Sequence, residues 1–238
     1  RRVRLRGSAR ASGGGAGMSD PWLIGCEESG TVRDALLARG IPAISCDLKP
    51  TRRPGPHIQG DLIAASRSRE WAGLIAFPDC TYLTNSAAWA YGDGPYHMKL
   101  KPGTLTGQAR RYARTQAIDF ACALWDAFDR VILENPVGVL SAFLGKPQMV
   151  QPYMFGDDAS KATCFWIKGL PSIAIPPREQ WVQPRVIEYR GKMVRRWGNQ
   201  APCGAPSAPP GPDRARDRAV TYPGIAAALA DVVARSPA

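Results

Sequence analysis

The sequence has few of the residues that build metal sites. It contains two histidines, His57 and His97, and its six cysteines stand far apart with no Cys-x-x-Cys pair. A structural zinc site needs clustered ligands of these types, so we expect the protein to hold no metal. There is also no apolar run of about 20 residues and no secretory signal pattern, which argues against a membrane span. We therefore expect a cytoplasmic protein whose thiols are reduced.

Positive charge is in excess, with 31 Lys and Arg residues against 20 Asp and Glu and a net charge of +11. Five of the arginines fall in a Gly-, Ser- and Ala-rich stretch that ends at Met18: Arg1, Arg2, Arg4, Arg6 and Arg10. This composition predicts that residues 1–17 are a disordered leader or a tag. Without them, 26 basic residues still face 20 acidic ones, a balance of +6 that is compatible with a phosphate-bearing partner.

Short apolar runs alternate along the chain with segments of helical periodicity. The predicted strands are 22–26, 41–46, 71–77 and 131–133, and the predicted helices are 32–37, 108–128 and 225–234. Alternation of this kind predicts an α/β fold of the Rossmann-like type, with a mostly parallel sheet and helices on both faces.

The second half of the chain has a less regular pattern. Residues 160–167 predict a further strand, and residues 186–194 predict a hairpin that turns at Arg190-Gly191. Residues 49–60 are predicted to be a loop and 202–212 a linker, because both are rich in proline or glycine. The predicted organisation is a core at 18–150, a small irregular region with a linker at 151–215, and a C-terminal segment at 216–238 that returns to the core.

Polar residues follow the first predicted strands, at the sheet edge where parallel strands end. The turn from Gly25 to Gly30 would bring backbone N–H groups close to a ligand at a helix start. Asp47, which ends the second strand, suits the hydroxyls of a ribose, and Asp61 could accept from an adenine amino group. Each aspartate alone is as well explained as a loop or capping residue. Together and in this order they favour a nucleoside-type cofactor.

Cys80 and Glu134 follow the next two strands, in the sequences Pro78-Asp79-Cys80 and Glu134-Asn135-Pro136. Separately, a small core cysteine and a capping or ion-paired glutamate are the simpler explanations. A thiol and a carboxylic acid are needed together to make C5 of cytosine nucleophilic. The thiolate adds to C6 while the acid protonates or hydrogen-bonds N3, and the resulting enamine attacks a methyl sulfonium. A base in a duplex must first be rotated out of the stack.

These motifs resemble those of DNA cytosine-5 methyltransferases. Pro78-Asp79-Cys80 resembles the Pro-Cys nucleophile motif, Glu134-Asn135-Pro136 resembles the Glu-Asn motif, and Gly60-Asp61 resembles the adenine-contacting Gly-Asp motif of that family. From about Leu23 onward the chain is similar to a compact group of the family found in phages and prophages. The matching stretches are 26–34, 45–48, 55–61, 80–86, 151–157, 161–171 and 221–225.

The resemblance implies a Rossmann-like S-adenosylmethionine-dependent methyltransferase fold, with S-adenosylmethionine as cofactor and DNA as partner, in the cytoplasm of a bacterium or of a phage-infected host cell. The catalytic residues that it implies are Cys80, Glu134, Asn135 and Lys161. The cofactor-binding residues are Gly25, Cys26, Glu27, Ser29, Gly30, Asp47, Asp61 and Pro78. The region 151–215 is then a small DNA-recognition region.

The chain departs from the family pattern at several places. Asp79 stands directly before the cysteine, where a carboxylate disfavours the thiolate. The family's arginine-bearing motif is not evident, and Lys161 and Thr163 are the candidates for its role. The stretch between Gly169 and Thr221 is too short for the large target-recognition domain of the bigger enzymes.

The predicted DNA contacts are Arg110, Arg111, Arg114, Lys161, Thr163, Lys168, Arg190, Lys192, Arg195 and Arg196. Trp89, Tyr91 and Tyr96 either stack on an extruded base or pack in the core. Two alternatives stay open. One is the same covalent chemistry on RNA or a free nucleotide, or with a modified methyl donor. The other is a catalytically silent DNA- or partner-binding module on the same fold. The oligomeric state is open, with a monomer slightly favoured.

Overall fold

The computed structural model describes residues 19–96, 100–207 and 214–236. The predicted leader at 1–17 and His97 lie outside the described residues. The strands are β1 (Trp22–Gly25), β2 (Ala43–Asp47), β3 (His57–Gln59), β4 (Gly73–Ala76), β5 (Val131–Asn135), β6 (Gln148–Val150), β7 (Thr163–Lys168), β8 (Arg185–Tyr189) and β9 (Lys192–Arg196). The α-helices are α1 (Thr31–Leu37), α2 (Leu62–Ser66), α3 (Gly107–Ala127), α4 (Ser141–Leu144), α5 (Arg214–Ala219) and α6 (Pro223–Ala234).

Seven strands form one sheet in the order β3-β2-β1-β4-β5-β7-β6. The strands from β3 to β5 pair in parallel, and β7 pairs antiparallel with both of its neighbours. The chain moves outward from β1 first to one side and then, at β4, to the other. This reversal opens a crevice outside the carboxyl ends of β1 and β4, where open α/β sheets bind their ligands. The predicted α/β fold with a mostly parallel sheet is confirmed.

Helices cover both faces of the sheet because the buried strands are apolar on both sides. On one face, Trp22 and Ile24 of β1 belong to the core that includes Leu36 of α1 and Leu229 of α6. On the other face, Leu23 belongs to the core formed with α2, α3 and α4. Successive residues of a strand point to opposite faces, so a continuous apolar strand needs two covering layers. No helix of the described residues is long and apolar enough to cross a membrane.

The hairpin predicted across Arg190-Gly191 is present as β8 and β9, a separate two-stranded sheet. Arg190 has a φ of 53° and Gly191 a φ of 73°. Two consecutive residues of positive φ are typical of the tight turns whose twist suits a two-residue hairpin connection. The local turn signal was therefore sufficient to predict this element.

The predicted loop at 49–60 is wrong in its last part, because His57–Gln59 forms the edge strand β3. Three residues with one apolar side chain carry no periodic signal, and their extended form depends on pairing with Ser45–Asp47 of β2. The predicted boundary at residue 150 cuts through the sheet, because β7 lies between β5 and β6. Part of the predicted linker is described, and Pro206 forms a bridge to Gln200.

Arg33 of α1 is fully buried and holds the loop that follows β2. Its guanidinium donates to the hydroxyls of Ser45 and Thr51 at 3.2 Å each and to the carbonyls of Arg53 and Pro54 at 3.2 and 3.1 Å. It also pairs with Asp34 at 2.8 Å. A buried charge is tolerated only when its donors are satisfied, so this single side chain orders the loop beside the end of β2.

Replacing Arg33 with methionine is expected to lower the free energy of unfolding by about 3 kcal/mol, because buried acceptors lose their donor. Urea denaturation followed by circular dichroism measures the change. The matched control is Arg39→Met, which removes an ion pair with Asp231 that is largely exposed to solvent. That loss should stay below about 1 kcal/mol. Equal losses in the two variants would contradict the role given to Arg33.

Candidate active site

The carboxyl ends of β1, β2, β4 and β5 bring the predicted site residues to one edge of the sheet. Gly25 pairs with Cys46 on one side and with Ala76 on the other, and Ala76 pairs with Leu133. The four strands therefore end at nearly the same level. Glu27, Asp47, Cys80 and Glu134 follow these strands or lie near their ends, so residues from four separate segments lie along one edge of the sheet.

Cys80 lies in a tight turn after β4 and is exposed to solvent. Its carbonyl accepts from the backbone N–H groups of Leu83 and Thr84 at 3.0 and 3.1 Å. Asp79 closes the same turn, since its Oδ1 accepts from the backbone N–H and the hydroxyl of Thr81 at 2.9 and 2.7 Å. The carboxylate before the cysteine thus has a structural function in addition to its electrostatic effect.

Two contacts join this turn to the segment that follows β5. The buried side-chain amide of Asn135 donates from Nδ2 to the carbonyl of Pro78 at 2.8 Å. Further on, the backbone N–H of Val139 donates to the carbonyl of Leu83 at 2.9 Å. A Cβ added to Gly138 would lie 2.0 Å from that same carbonyl oxygen, so the close passage requires glycine. Asn135 is therefore a positioning residue for the turn that carries Cys80.

Glu134 lies one residue before the end of β5, half-buried and beside Lys161. Burial raises the pKa of the Glu134 carboxyl, and the positive charge of Lys161 opposes that shift in part. Glu134, Lys161 and Thr163 line a small cavity together with Thr221 and Tyr222. A raised pKa favours the protonated form of a carboxyl, which is the form that can donate to a basic ring nitrogen.

Lys161 and Thr163 were predicted from sequence as partners of this site, and the structure brings both to Glu134. The Thr163 hydroxyl donates to the carbonyl of Lys161 at 3.0 Å, and Lys161 Nζ donates to the carbonyl of Arg218 at 3.3 Å. Thr163 is buried at 3% exposure. It is thus placed to shape the cavity and not to contact a phosphate on the surface.

The Cys80 thiol also has a raised pKa. Partial removal of water by the surrounding loop contributes most, followed by the negative charges of Asp79 and Glu134, and Lys161 acts in the opposite direction. The side chain is exposed to solvent on one side and lies against protein on the other. This partial contact with protein is what raises its pKa. In the free protein the group is therefore mainly a thiol and needs activation before it can attack.

The turn between β1 and α1 is organised by the buried side chain of Glu27. The hydroxyl of Ser29 donates to its Oε1, and the backbone N–H of Val32 approaches the same oxygen at 3.4 Å. Burial raises the pKa of Glu27, while these hydrogen bonds oppose the shift. Oε2 is buried and has no partner among the described residues. Gly30 has a φ of 74° and its Cβ position would meet the Arg33 side chain at 2.5 Å, which requires glycine there.

Asp47 and Asp61 have local backbone partners. Asp47 Oδ1 accepts from the N–H of Lys49 at 3.0 Å, and Asp61 Oδ1 caps α2 by accepting from the N–H of Ala64 at 2.8 Å. The capping alternative is therefore correct for Asp61, although the residue remains exposed at the crevice.

Burial, and then the charge of Asp47, raises the pKa of Cys26 to about 12. Gly25 allows close packing, since a Cβ there would meet Leu62 at 2.4 Å.

Several residues predicted to contact DNA have partners within the protein. Arg110 is buried at 5% exposure and donates to the carbonyl of Thr81 at 3.1 Å. Arg114 donates to the carbonyl of Tyr82 at 2.9 Å, and its guanidinium lies 3.4 Å from the centre of the Tyr91 ring. We therefore revise the prediction for both arginines, because they hold the loop after Cys80 against α3. Tyr91 therefore packs within the protein, which is the second of the two alternatives given for it.

Lys168, another of these residues, lies away from the crevice. It pairs with Val131 at the start of β5, which is the opposite edge of the sheet, and its ammonium donates to the carbonyl of Trp125. Arg111 is exposed and pairs with Asp93 at 3.0 Å. The remaining predicted contacts lie on the hairpin: Arg190, Lys192, Arg195 and Arg196.

Sequence reasoning missed an ionic cluster that joins α5 to the turn after β1. Glu28 accepts from Arg216 at 2.6 Å and from Arg52 at 3.1 Å, and Arg52 also pairs with Asp217 at 2.9 Å. Partial burial by itself would raise the pKa of Glu28. The hydrogen bond from Arg216 and the nearby positive charges outweigh that effect and lower the pKa. Because Glu28 and Arg216 are 188 residues apart, no local pattern could have indicated this contact.

No known family model matches the chain, and no characterised protein matches it significantly. Among residues 19–96, 100–207 and 214–236, no group of three or more His, Cys, Asp or Glu residues is arranged to hold a metal ion. The fold and the site together define an α/β protein with a mostly parallel sheet, in which an exposed thiol and a half-buried carboxyl stand at the carboxyl ends of neighbouring strands.

We expect Glu134→Gln to change how stability depends on pH. The folded-state pKa of Glu134 is raised above the unfolded value of about 4.3, so the wild type loses stability as the pH rises through the folded pKa. The amide cannot ionise and avoids that loss. Urea denaturation from about pH 4 to about pH 8 should show the variant gaining stability relative to wild type with increasing pH. Parallel curves would contradict a buried, ionisable Glu134.

Asp79→Asn is expected to increase the alkylation rate of Cys80 by iodoacetamide roughly two- to fivefold, because the thiolate loses a neighbouring negative charge. The asparagine side chain keeps an oxygen that can accept the hydrogen bonds from Thr81. Cys203, which is also exposed, serves as the reference within the same protein. Peptide mass spectrometry over time measures both rates. An unchanged ratio of the two rates would show that Asp79 does not control the thiol.

Proposed function

We propose that this protein is a DNA cytosine-5 methyltransferase that acts through a covalent adduct between Cys80 and a flipped-out cytosine. The observation that carries the proposal is the placement of an exposed thiol and a half-buried carboxyl of raised pKa at the ends of neighbouring strands. The Asn135 hydrogen bond to Pro78 holds the two segments together. The resemblance of both motifs to that family supports the same assignment.

In the proposed reaction, the Cys80 thiol gives its proton to solvent water, and the thiolate sulfur then forms a bond to C6 of cytosine. Glu134 donates its proton or a hydrogen bond to N3 in this step, and it takes a donated proton back when the thiolate leaves. The electron pair displaced from the C5–C6 bond then makes C5 nucleophilic. After C5 has accepted the methyl group, a base removes the C5 proton, and the electrons of that C–H bond expel the thiolate. Lys161 opposes the raised pKa of both Cys80 and Glu134, so its charge assists formation of the thiolate.

The turn after β1 fits S-adenosylmethionine, which supplies an electrophilic methyl group when bound. Glu27 has a buried carboxyl oxygen without a partner among the described residues, which suits a donor group of an incoming ligand. Asp47 and Asp61 add two carboxylates along the same edge, where ribose hydroxyls and an amino group of the adenine need acceptors. Gly25, Cys26, Ser29, Gly30 and Pro78 would form the remainder of this binding surface.

The test is transfer of label from methyl-labelled S-adenosylmethionine to cytosine, comparing wild type with Cys80→Ser. Cys203→Ser is the matched control, because it removes another exposed thiol. Duplex DNA, single-stranded DNA, RNA and dCMP are offered in parallel. We expect labelled 5-methylcytosine in DNA with wild type and Cys203→Ser and none with Cys80→Ser. Glu134→Gln should reduce the rate by about 10²- to 10⁴-fold.

Other results would change the proposal in defined ways. Equal labelling by wild type and Cys80→Ser would remove the covalent step. Labelling of RNA or dCMP in place of DNA would move the same chemistry to another substrate. The raised pKa of Cys80 and the adjacent Asp79 favour one second candidate, a catalytically silent nucleic-acid-binding module. Binding of DNA without labelling of any substrate would support that candidate.

A further inference from the structure

We propose that the hairpin β8–β9 is a two-stranded ribbon that reads base edges in the major groove of duplex DNA. The inference rests on the proposed function in one respect, namely that DNA is the substrate. The inference identifies the element that selects a DNA sequence and the groove that this element enters. Neither follows from the motifs at Cys80 and Glu134.

The dimensions of the hairpin suit the major groove of B-form DNA. Each strand has five residues, which gives a ribbon about 17 Å long with its strands about 5 Å apart. The B-form major groove is about 12 Å wide and admits a two-stranded ribbon. The major groove of A-form RNA is too narrow for side chains to read. The geometry therefore favours duplex DNA over duplex RNA.

The two faces of the ribbon differ in exposure. On the inner face, Ile187 lies opposite Val194, and both are half-buried. On the outer face, Val186 lies opposite Arg195, while Glu188 lies opposite Met193. All four outer residues are exposed, with Val186 at 58% and Met193 at 68%. The outer face is thus available to a partner, whereas the inner face is partly covered.

The outer face carries a set of groups that matches base edges. An arginine binds O6 and N7 of guanine, and a glutamate accepts from N4 of cytosine, so Arg195 and Glu188 suit the two halves of a G·C pair. Apolar side chains contact the thymine methyl group, a role that Val186 and Met193 can take. A surface that binds only phosphates needs neither a carboxylate nor exposed apolar groups. This mixed composition indicates sequence reading.

The tip and flanks of the hairpin supply positive charge for the DNA backbone. Residues 185–196 contain five basic side chains and one acidic one. Arg190 and Lys192 lie at the exposed turn, and the Arg190 guanidinium is 5.3 Å from the centre of the Tyr189 ring. Contacts of basic side chains with phosphates position a protein on the duplex, and base contacts then specify the sequence.

The base of the hairpin is tied to the candidate active site. Asn199 follows β9, and its side chain exchanges two hydrogen bonds of 3.0 Å with the backbone of Ser160. Its Nδ2 also lies 3.3 Å from the hydroxyl of Tyr222, which lines the cavity of Glu134 and Lys161. Trp197 stacks on Tyr153 with ring centres 4.8 Å apart. These contacts set the hairpin at a fixed position relative to Glu134, as a reader beside a catalytic cavity requires.

The experiment measures DNA binding by the full chain and does not depend on methyl transfer. Fluorescence anisotropy over a salt series uses a mixed-sequence DNA duplex of about two helical turns, its RNA counterpart, and duplexes that wild type selects from a random DNA library. Arg190→Ala/Lys192→Ala should weaken binding to every DNA duplex and reduce the salt slope by about 2. Arg195→Ala and Glu188→Ala should each reduce the preference for selected over mixed duplex roughly tenfold.

Arg39→Ala/Arg69→Ala is the matched control for the tip variant, because it removes two positive charges outside the hairpin. Circular dichroism and the melting temperature check that each variant folds. Hairpin variants that bind and select like wild type would overturn the proposal, as would wild type failing to bind duplex DNA. Equally tight binding of duplex RNA through the hairpin would mean that the hairpin recognises the nucleic-acid backbone and not the base edges. That result would also overturn the proposal. Hairpin-dependent selection without methyl transfer would refute the proposed activity and leave the hairpin assignment intact.

Discussion

The hydrogen bond from Asn135 to the carbonyl of Pro78 is the contact on which the arrangement of the site depends. Pairing between β4 and β5 ends at Ala76 and Leu133, before the residues that carry chemistry. Beyond that level the two chains would be free to separate. A buried amide side chain continues the connection, and it is costly to lose because a buried carbonyl would be left without a donor. The turn with Cys80 therefore keeps its position relative to β5, and the bridge between Thr84 and Gly138 holds the two segments together further along.

Burial controls the protonation of both groups that meet at this edge. The pKa of Glu134 and the pKa of Cys80 are both raised, chiefly by burial, which favours the protonated form of each group. An acid in this state can donate its proton, whereas a thiol in this state is protected from unwanted reactions. The positive charge of Lys161 acts against both shifts.

The excess of positive charge has two separate uses in this molecule. Arg33 and Arg110 are buried and satisfy carbonyls and hydroxyls of loops near the crevice. Arg190, Lys192 and Arg195 are exposed on one projecting hairpin. Net charge counts these groups equally, although a buried arginine contributes through hydrogen bonds and an exposed one through its field. The electrostatic character of the surface therefore follows from placement and not from composition.

The sequence by itself determined the central strands, the long helices and the hairpin turn, because apolar periodicity and turn residues act over a few neighbouring positions. It also indicated that Cys80 and Glu134 would meet, since parallel strands end at a common edge. Only the tertiary structure decided the edge strand β3, the place of β7 between β5 and β6, and the inward role of Arg110. Contacts such as Glu28 with Arg216 join residues 188 positions apart. No local spacing encodes such a pairing, because it exists only once the chain has folded.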